Sequence, residues 1–276
     1  MMEGAPLAAR IRAQVADDVR ELGGVGLATI LVGDDPASEI YIGRKHAAAA
    51  EAGIRATDVR MPATVSEVEL LEMVDLLNAD EAVDALLVQL PLPAHIDEDR
   101  VPRAIDPLKD VDGLHPENAG ELYLGRPRLV PATAVGVMTL LAEYRIELTG
   151  ARAVVVGRSA IVGKPTAQLL LRANATVTVC HSRTQDLARH TLDADVLVVA
   201  VGEPEVVTAD MIKAGGTVVD VGVNRTPAGL VGDVDSDAAE VAAHLTPVPG
   251  GVGPMTIACL LQNAVQCARL RRTAEA

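Results

Sequence analysis

Seven short runs of aliphatic, largely β-branched residues set the strongest constraint on how this chain folds. They read VGLATILVG, IRATDVRMP, VDALLVQLPLP, ARAVVVG, ATVTVC, ADVLVVAVG and GTVVDVGV. Each is long enough for one buried strand, and several end in glycine or proline. Between them lie Ala- and Leu-rich stretches with helical periodicity. Residues 1–24 read as an amphipathic helix stopped by Gly23 and Gly24. A second helix is predicted with Ser38 as N-cap and Gly53 as stop, and a third opens on a Ser66–Glu69 capping box. A short helix is expected over residues 97–104, and others starting near Thr133, Gly163, Thr184 and Thr208. Strands alternating with helices predict an α/β protein with parallel sheets. The alternation restarts after Thr149-Gly150, so two α/β domains are expected. The last helix follows a glycine-proline loop and carries an apolar stripe that must pack on something. We expect it to return to the first domain, which gives boundaries of 1–131 plus 254–276 for one domain and 132–253 for the other.

The core must be aliphatic, because 276 residues include three tyrosines and neither phenylalanine nor tryptophan. No apolar run reaches the length of about 18 residues expected of a membrane span, and the charged N-terminal stretch lacks a signal-peptide core. A net charge of −14 disfavours nucleic acid or an acidic membrane as the main partner. Cys180, Cys259 and Cys267 are odd in number and lack C-x-x-C spacing. They are expected as free thiols in a reducing cytoplasm, with no metal site.

Four places carry candidate chemistry. VVVGRSAIVGKPTAQLLL resembles a dinucleotide-binding turn between strand and helix, with Gly157 in place but Ser159 at the second glycine and Gly163 one position late. A helix N-terminus attracts phosphate even where a glycine is missing. The following strand ends in CHSRT, residues 180–184, where NAD-binding units usually place an acid. Ser182 and Arg183, with Arg158 in the first turn, would bind a 2′-phosphate that a carboxylate would repel, so the residues point to NADP. Tyr41 and Lys45 stand four apart on one helix face. Gln89 ends an otherwise apolar strand, where ligands of open parallel sheets gather. Lys109 to Gly113, KDVDG, reads by itself as a solvated turn.

YIGRKHAAAAEAGI, VQLPLPAHID, KDVDGLHPENAG, VVVGRSAIVGKP and TPVPGGVGPMT occur in this order over nearly the whole chain. Together they resemble the bifunctional methylenetetrahydrofolate dehydrogenase/methenyltetrahydrofolate cyclohydrolase family. The resemblance implies NADP⁺-dependent oxidation of 5,10-methylenetetrahydrofolate, hydrolysis of the product to 10-formyltetrahydrofolate, and a homodimer. It implies Lys45, Tyr41, Gln89 and Asp112 as catalytic residues. Tyr41, Gln89, Asp112, Pro249, Gly250 and Gly251 would bind substrate, the glycines by letting backbone approach it closely. Gly157, Arg158, Ser159, Ser182, Arg183 and Val223 would hold the cofactor. One departure is PATAVG, residues 131–136, where the family has Pro-Cys-Thr-Pro-x-Gly. Thr133 remains and is expected to cap the helix there, with altered packing and retained activity. Without the resemblance, a shikimate-type NADP-linked dehydrogenase or a non-catalytic nucleotide or folate sensor would also fit the residues.

Overall fold

A computed structural model describes residues 1–227 and 229–274, the side chain of Ala37 excepted. The chain divides into two compact units, one of Ala9–Val130 with Ile257–Ala276, the other of Met1–Ala8 with Pro131–Thr256. The sequence-level boundaries assign residues 1–8 to the first domain, whereas in the structure they join the second unit. Met2 N–H donates to Leu245 O at 2.7 Å and Gly4 N–H to Gly250 O at 2.9 Å.

In chain order the first elements are α1 (Ala5–Glu21), β1 (Gly26–Val32), α2 (Pro36–Glu51), β2 (Arg55–Met61), α3 (Glu67–Ala79), β3 (Ala85–Val88), α4 (Val101–Ala104) and α5 (Pro116–Tyr123). Their strands form a parallel sheet of order β2-β1-β3. β1 and β3 are buried throughout, which is why they are uninterrupted aliphatic runs, while edge strand β2 carries exposed charges. Ala28, Ile30 and Val32 of β1 pack with Leu70, Val74 and Leu77 of α3 and with Leu86 and Val88 of β3. The predicted capping box closes α3, with Glu69 N–H donating to Ser66 Oγ and Ser66 N–H to Glu69 Oε2. Ser38 is not the cap of α2. Asp35 is, accepting from Ser38 N–H and Ser38 Oγ–H at 2.8 Å, because Pro36 can start a helix but cannot donate.

The rest of the chain forms α6 (Ala132–Glu143), β4 (Arg152–Val156), α7 (Gly163–Arg172), β5 (Thr176–Cys180), α8 (Leu187–Thr191), β6 (Val196–Val199), β7 (Thr217–Asp220), β8 (Asn224–Thr226), β9 (Gly229–Val231), β10 (His244–Leu245) and α9 (Val252–Ala274). Five strands lie parallel in the order β10-β7-β6-β4-β5, and β8-β9 is a separate antiparallel pair. The segment after Thr208 is only a 3-10 turn, Ala209–Met211. Thr208 Oγ–H turns to Asp210, and Gly215, at φ +76°, leaves room for little more. The helix expected near Thr184 begins at Leu187. Thr133 does not cap α6: Pro131 holds the cap position, and Thr133 Oγ1 lies 3.0 Å from Thr256 Oγ1. Ala132 and Ala134 are buried.

From Ile257 onward, α9 belongs to the first unit. Asn263 Nδ2 donates to Val111 O at 2.9 Å and Val130 O at 2.8 Å, and Arg271 Nη1 donates to Val83 O at 2.8 Å. A buried amide and a partly buried guanidinium thus satisfy backbone carbonyls of the first unit. Among the described residues no helix is long and apolar enough to cross a membrane.

Candidate active site

The order β2-β1-β3 reverses direction between β1 and β3, and the carboxyl ends of those strands are where an open parallel sheet offers a ligand crevice. Gln89 stands at that end of β3, its N–H donating to Ile30 O of β1 at 2.9 Å. α2 presents Lys45 to the same place, and Lys45 Nζ donates to Gln89 Oε1 at 3.0 Å. Gln89 Nε2 donates to Leu90 O at 2.6 Å, which leaves its carbonyl oxygen turned to the amine. Lys45 is only 8 % exposed, whereas Tyr41, one turn earlier, is 42 % exposed. The aromatic ring is therefore open to a ligand and the amine is not open to bulk water. Burial lowers the pKa of the Lys45 ammonium, and the carboxylate of Asp112 pulls it partly back. Burial likewise raises the Asp112 carboxyl to about 6, with Lys45 opposing the shift. A buried amine and a buried carboxyl thus face each other, each displaced toward neutrality by loss of water.

KDVDG is not a solvated turn. Lys109 is 2 % exposed, and its Nζ donates to Leu77 O at 3.0 Å, Asn78 O at 2.6 Å and Asp80 O at 2.8 Å. These are carbonyls at the C-terminal end of α3, which have no partner within the helix, so the lysine acts as its cap. Asp110 is buried too and accepts from His115 N–H and Asn118 Nδ2, both at 2.8 Å. Leu86 N–H donates to Lys109 O at 2.7 Å, so the loop runs beside β3. Lys109 and Asp110 fix the loop, and Asp112 is the member left facing the amine. The two anchoring residues were missed from sequence. Their signal was the pairing of charged residues with a valine of strand character, a pattern that surface turns share.

In the second unit the strand order also reverses between β4 and β6. Gly157, at φ +127°, ends β4 at that point, and a Cβ there would run into Ala200 O at the end of β6. A Cβ on Gly163 would strike Gly157 O. The fingerprint's close strand-helix approach is therefore kept, with its last glycine one residue later. Ser159 Oγ accepts from Val162 N–H at 3.1 Å and Gly163 N–H at 3.3 Å, which caps the turn and leaves the hydroxyl proton to a ligand. Arg158, Ser182, Arg183 and Val223 are exposed. No hydrogen bond or ion pair engages either guanidinium among the described residues. Arg183 N–H donates to His181 Nδ1 at 3.1 Å, and His181 N–H to Thr184 Oγ1 at 2.9 Å, so a polar turn follows β5. The bare backbone at Gly157 and two unpaired cations fit a phosphorylated dinucleotide. Pro249, Gly250 and Gly251 lie in the loop before α9, with Gly250 at φ +108°.

Sequence reading also missed a buried pair of aspartates. Asp233 Oδ2 accepts from Val201 N–H at 2.7 Å and Gly202 N–H at 2.9 Å, which fixes the loop after β6. Asp220 accepts from Gly222 N–H and Asp233 N–H at 3.0 Å and from Val234 N–H at 3.1 Å. Cβ atoms on Gly222 and Gly232 would collide with these carboxylates. The two acids order the strand ends beside the dinucleotide turn.

Fold and site together define an α/β enzyme with one dinucleotide-type unit and one unit that carries a desolvated lysine, amide and carboxyl group at its sheet's crevice. Residues 2–112 match the catalytic domain of tetrahydrofolate dehydrogenase/cyclohydrolase, and residues 131–272 match the NAD(P)-binding domain of the same family. The chain is 55 % identical over 275 residues to the bifunctional protein FolD of Acidiphilium cryptum, covering 99 % of each. Its structure resembles the bifunctional FolD methylenetetrahydrofolate dehydrogenase/cyclohydrolase of Campylobacter jejuni, with 45 % identity, TM-score 0.96 and 98 % of each chain covered. It also resembles the Trypanosoma brucei enzyme, solved with NADP cofactor and inhibitor, with 40 % identity, TM-score 0.93 and 99 % and 98 % covered. The chain belongs to the tetrahydrofolate dehydrogenase/cyclohydrolase family and is a bifunctional enzyme, an oxidoreductase and hydrolase of tetrahydrofolate-linked one-carbon metabolism. That membership sets aside the shikimate-type and sensor readings.

Proposed function

We propose that the chain oxidises 5,10-methylenetetrahydrofolate with NADP⁺ and hydrolyses the resulting 5,10-methenyl cation to 10-formyltetrahydrofolate, with Lys45 as the acid/base of the second step. The observation that carries this reading is the buried Lys45 amine bonded to the Gln89 amide at 3.0 Å. A fully charged ammonium would repel the methenyl cation and has no lone pair to offer. Burial enlarges the neutral fraction, and Gln89 orients the amine without adding charge. Neutral Lys45 takes a proton from the water that adds to the methenyl carbon. As the carbon–N5 bond breaks, the ammonium returns a proton to the leaving nitrogen, and the hydroxyl on that carbon gives up its own proton to solvent as the formyl C=O forms. Tyr41 stacks on the folate ring system, and the carboxylate of Asp112 accepts from the N–H edge of the pterin. Pro249, Gly250 and Gly251 supply backbone against the substrate. The first unit holds folate, and the second holds the dinucleotide through Gly157, Arg158, Ser159, Ser182, Arg183 and Val223. When bound, NADP⁺ accepts the hydride from the methylene carbon, a step that depends mainly on alignment. Arg158 and Arg183, without a carboxylate at the end of β5, support NADP⁺ over NAD⁺.

We read the assembly as a homodimer on family resemblance, tested by a solution mass of twice 28.7 kDa. The free thiols support a cytoplasmic location. The central test mixes protein, NADP⁺ and 5,10-methylenetetrahydrofolate and follows NADPH and 10-formyltetrahydrofolate together. Both should appear. NADPH without accelerated hydrolysis would refute the second activity.

A further inference from the structure

At the amino ends of β1, β2 and β3, opposite Gln89, the first unit has a cavity of about 360 Å³. Gly23, Gly24, Gly26, Arg55, Glu81, Asp84, Arg271 and Arg272 are among its lining residues, and no catalytic role above uses any of them. Backbone carbonyls hold the three guanidinium groups in place. Arg55 Nη2 donates to Ala82 O at 2.7 Å, Arg271 Nη1 to Val83 O at 2.8 Å and Arg272 Nη2 to Gly24 O at 2.8 Å, with Arg272 Nη1 bonded to Leu22 O. Carbonyl oxygens orient a guanidinium but do not cancel its charge. Among the described residues, Asp84 is a carboxylate bonded to them, 3.1 Å from Arg271 Nη1 and 3.9 Å from Arg272 Nη2, and it also accepts from Gly26 N–H at 2.8 Å. Glu81 is exposed at the rim. Among the described residues, three guanidinium groups and two carboxylates line this cavity, in a protein whose net charge is −14.

We propose that this arginine-lined cavity binds a small dianion of the phosphate class, free or carried on a small metabolite, at a site separate from folate and dinucleotide. Arg55 and Arg272 keep further N–H groups for a ligand, and a planar guanidinium matches phosphate oxygens in pairs. Because the forks are already held by backbone, little conformational freedom is lost on binding. Gly23 and Gly24, at φ +73° and +118°, have open space where a side chain would project, so the rim stays bare.

The test uses the full chain saturated with NADP⁺, so that the dinucleotide's phosphate subsites are filled. Inorganic phosphate and glycerol 3-phosphate are titrated separately by calorimetry. One site with a dissociation constant at or below about 1 mM is expected for at least one of them. Arg55→Gln and Arg272→Gln should each weaken it about tenfold or more, with both enzyme activities retained. Glu81→Gln removes a repulsive carboxylate on the exposed rim and should tighten binding, which guards against a loss caused by poor folding. Absence of binding by either probe up to about 20 mM, well above that expected constant, would overturn the proposal. So would an affinity that none of the three substitutions moves.

Discussion

Lys45→Met tests the chemistry most sharply, because it keeps much of the apolar stem and removes only the titratable amine. In the structure the amine touches Gln89 Oε1 and sits in the field of Asp112, so its loss affects proton transfer before it affects packing. Loss of a general acid/base typically costs ~10²–10⁴-fold in the step that uses it, or about 2.7–5.4 kcal/mol of barrier at about 1.36 kcal/mol per tenfold. Hydride transfer passes no proton through this group and should fall less than about tenfold, within the effect expected of a small misalignment. The assay measures hydrolysis of methenyltetrahydrofolate, corrected for the spontaneous rate, beside NADPH formation by the same preparation. Lys45→Arg should fail at hydrolysis nearly as badly, because guanidinium stays protonated at working pH. Stability gives an independent check. Burial holds the folded-state pKa of Lys45 below the ordinary 10.5, so the unfolded chain binds the proton more tightly. Wild-type stability should therefore gain a contribution as pH rises between the depressed folded value and 10.5, and Lys45→Met should lack it. Near-normal hydrolysis by Lys45→Met would remove the amine from the mechanism and leave its bond to Gln89 as structure.

Asp112→Asn should lower both activities together through a raised KM for folate, since one amide N–H would face the pterin's N–H edge; loss of one activity alone would contradict a shared binding role. With the carboxyl raised from 3.8 to about 6, the folded state binds its proton more tightly than the unfolded chain, so this group's ionisation costs stability as pH rises through that window. Denaturant midpoints measured from pH 4 to 7 should fall less steeply in Asp112→Asn than in the wild type, with Asp220, also raised to about 6, keeping its own share, and folate KM should climb below about pH 6 as the Asp112 carboxylate protonates. Arg183→Gln or Arg158→Gln should weaken NADP⁺ at least about tenfold, about 1.4 kcal/mol, while NAD⁺ changes little; equal weakening would refute the 2′-phosphate assignment. Asp233→Ala strands the N–H groups of Val201 and Gly202, and should cost about 1–3 kcal/mol in denaturant unfolding as well as raising KM for the dinucleotide.

The strands were legible because burial on both faces forces uninterrupted aliphatic runs, as in β1, β3, β4 and β6. Lys45 and Gln89 could be nominated from helix spacing and from a polar residue ending an apolar strand, both of which are local signals. One miss was local: Ser38 looked like a cap, but Asp35, on the other side of Pro36, was the acceptor. Others were decided at a distance. Thr133 looked like a cap, but its hydroxyl found Thr256, more than a hundred residues away. Lys109 and Asp110 read as solvent-facing charges because nothing nearby in sequence reveals the open carbonyls of α3 or the amide of Asn118. The β8-β9 pair and β10 have three or fewer residues per strand, too few to show a period of two.

The division of α9 has a consequence for the order in which the protein is made. Ile257–Ala276 completes the unit that holds Lys45, and Met1–Ala8 belongs to the other unit. A ribosome delivers nearly all of the first sheet early, but Val111 O and Val130 O wait for Asn263. The five-stranded sheet, wholly contained within Pro131–Thr256, can close while that wait continues. Chains truncated after residue 256 should therefore hold a protease-resistant second unit and a first unit that is still cleaved, so the catalytic half is the last part of the polypeptide to mature.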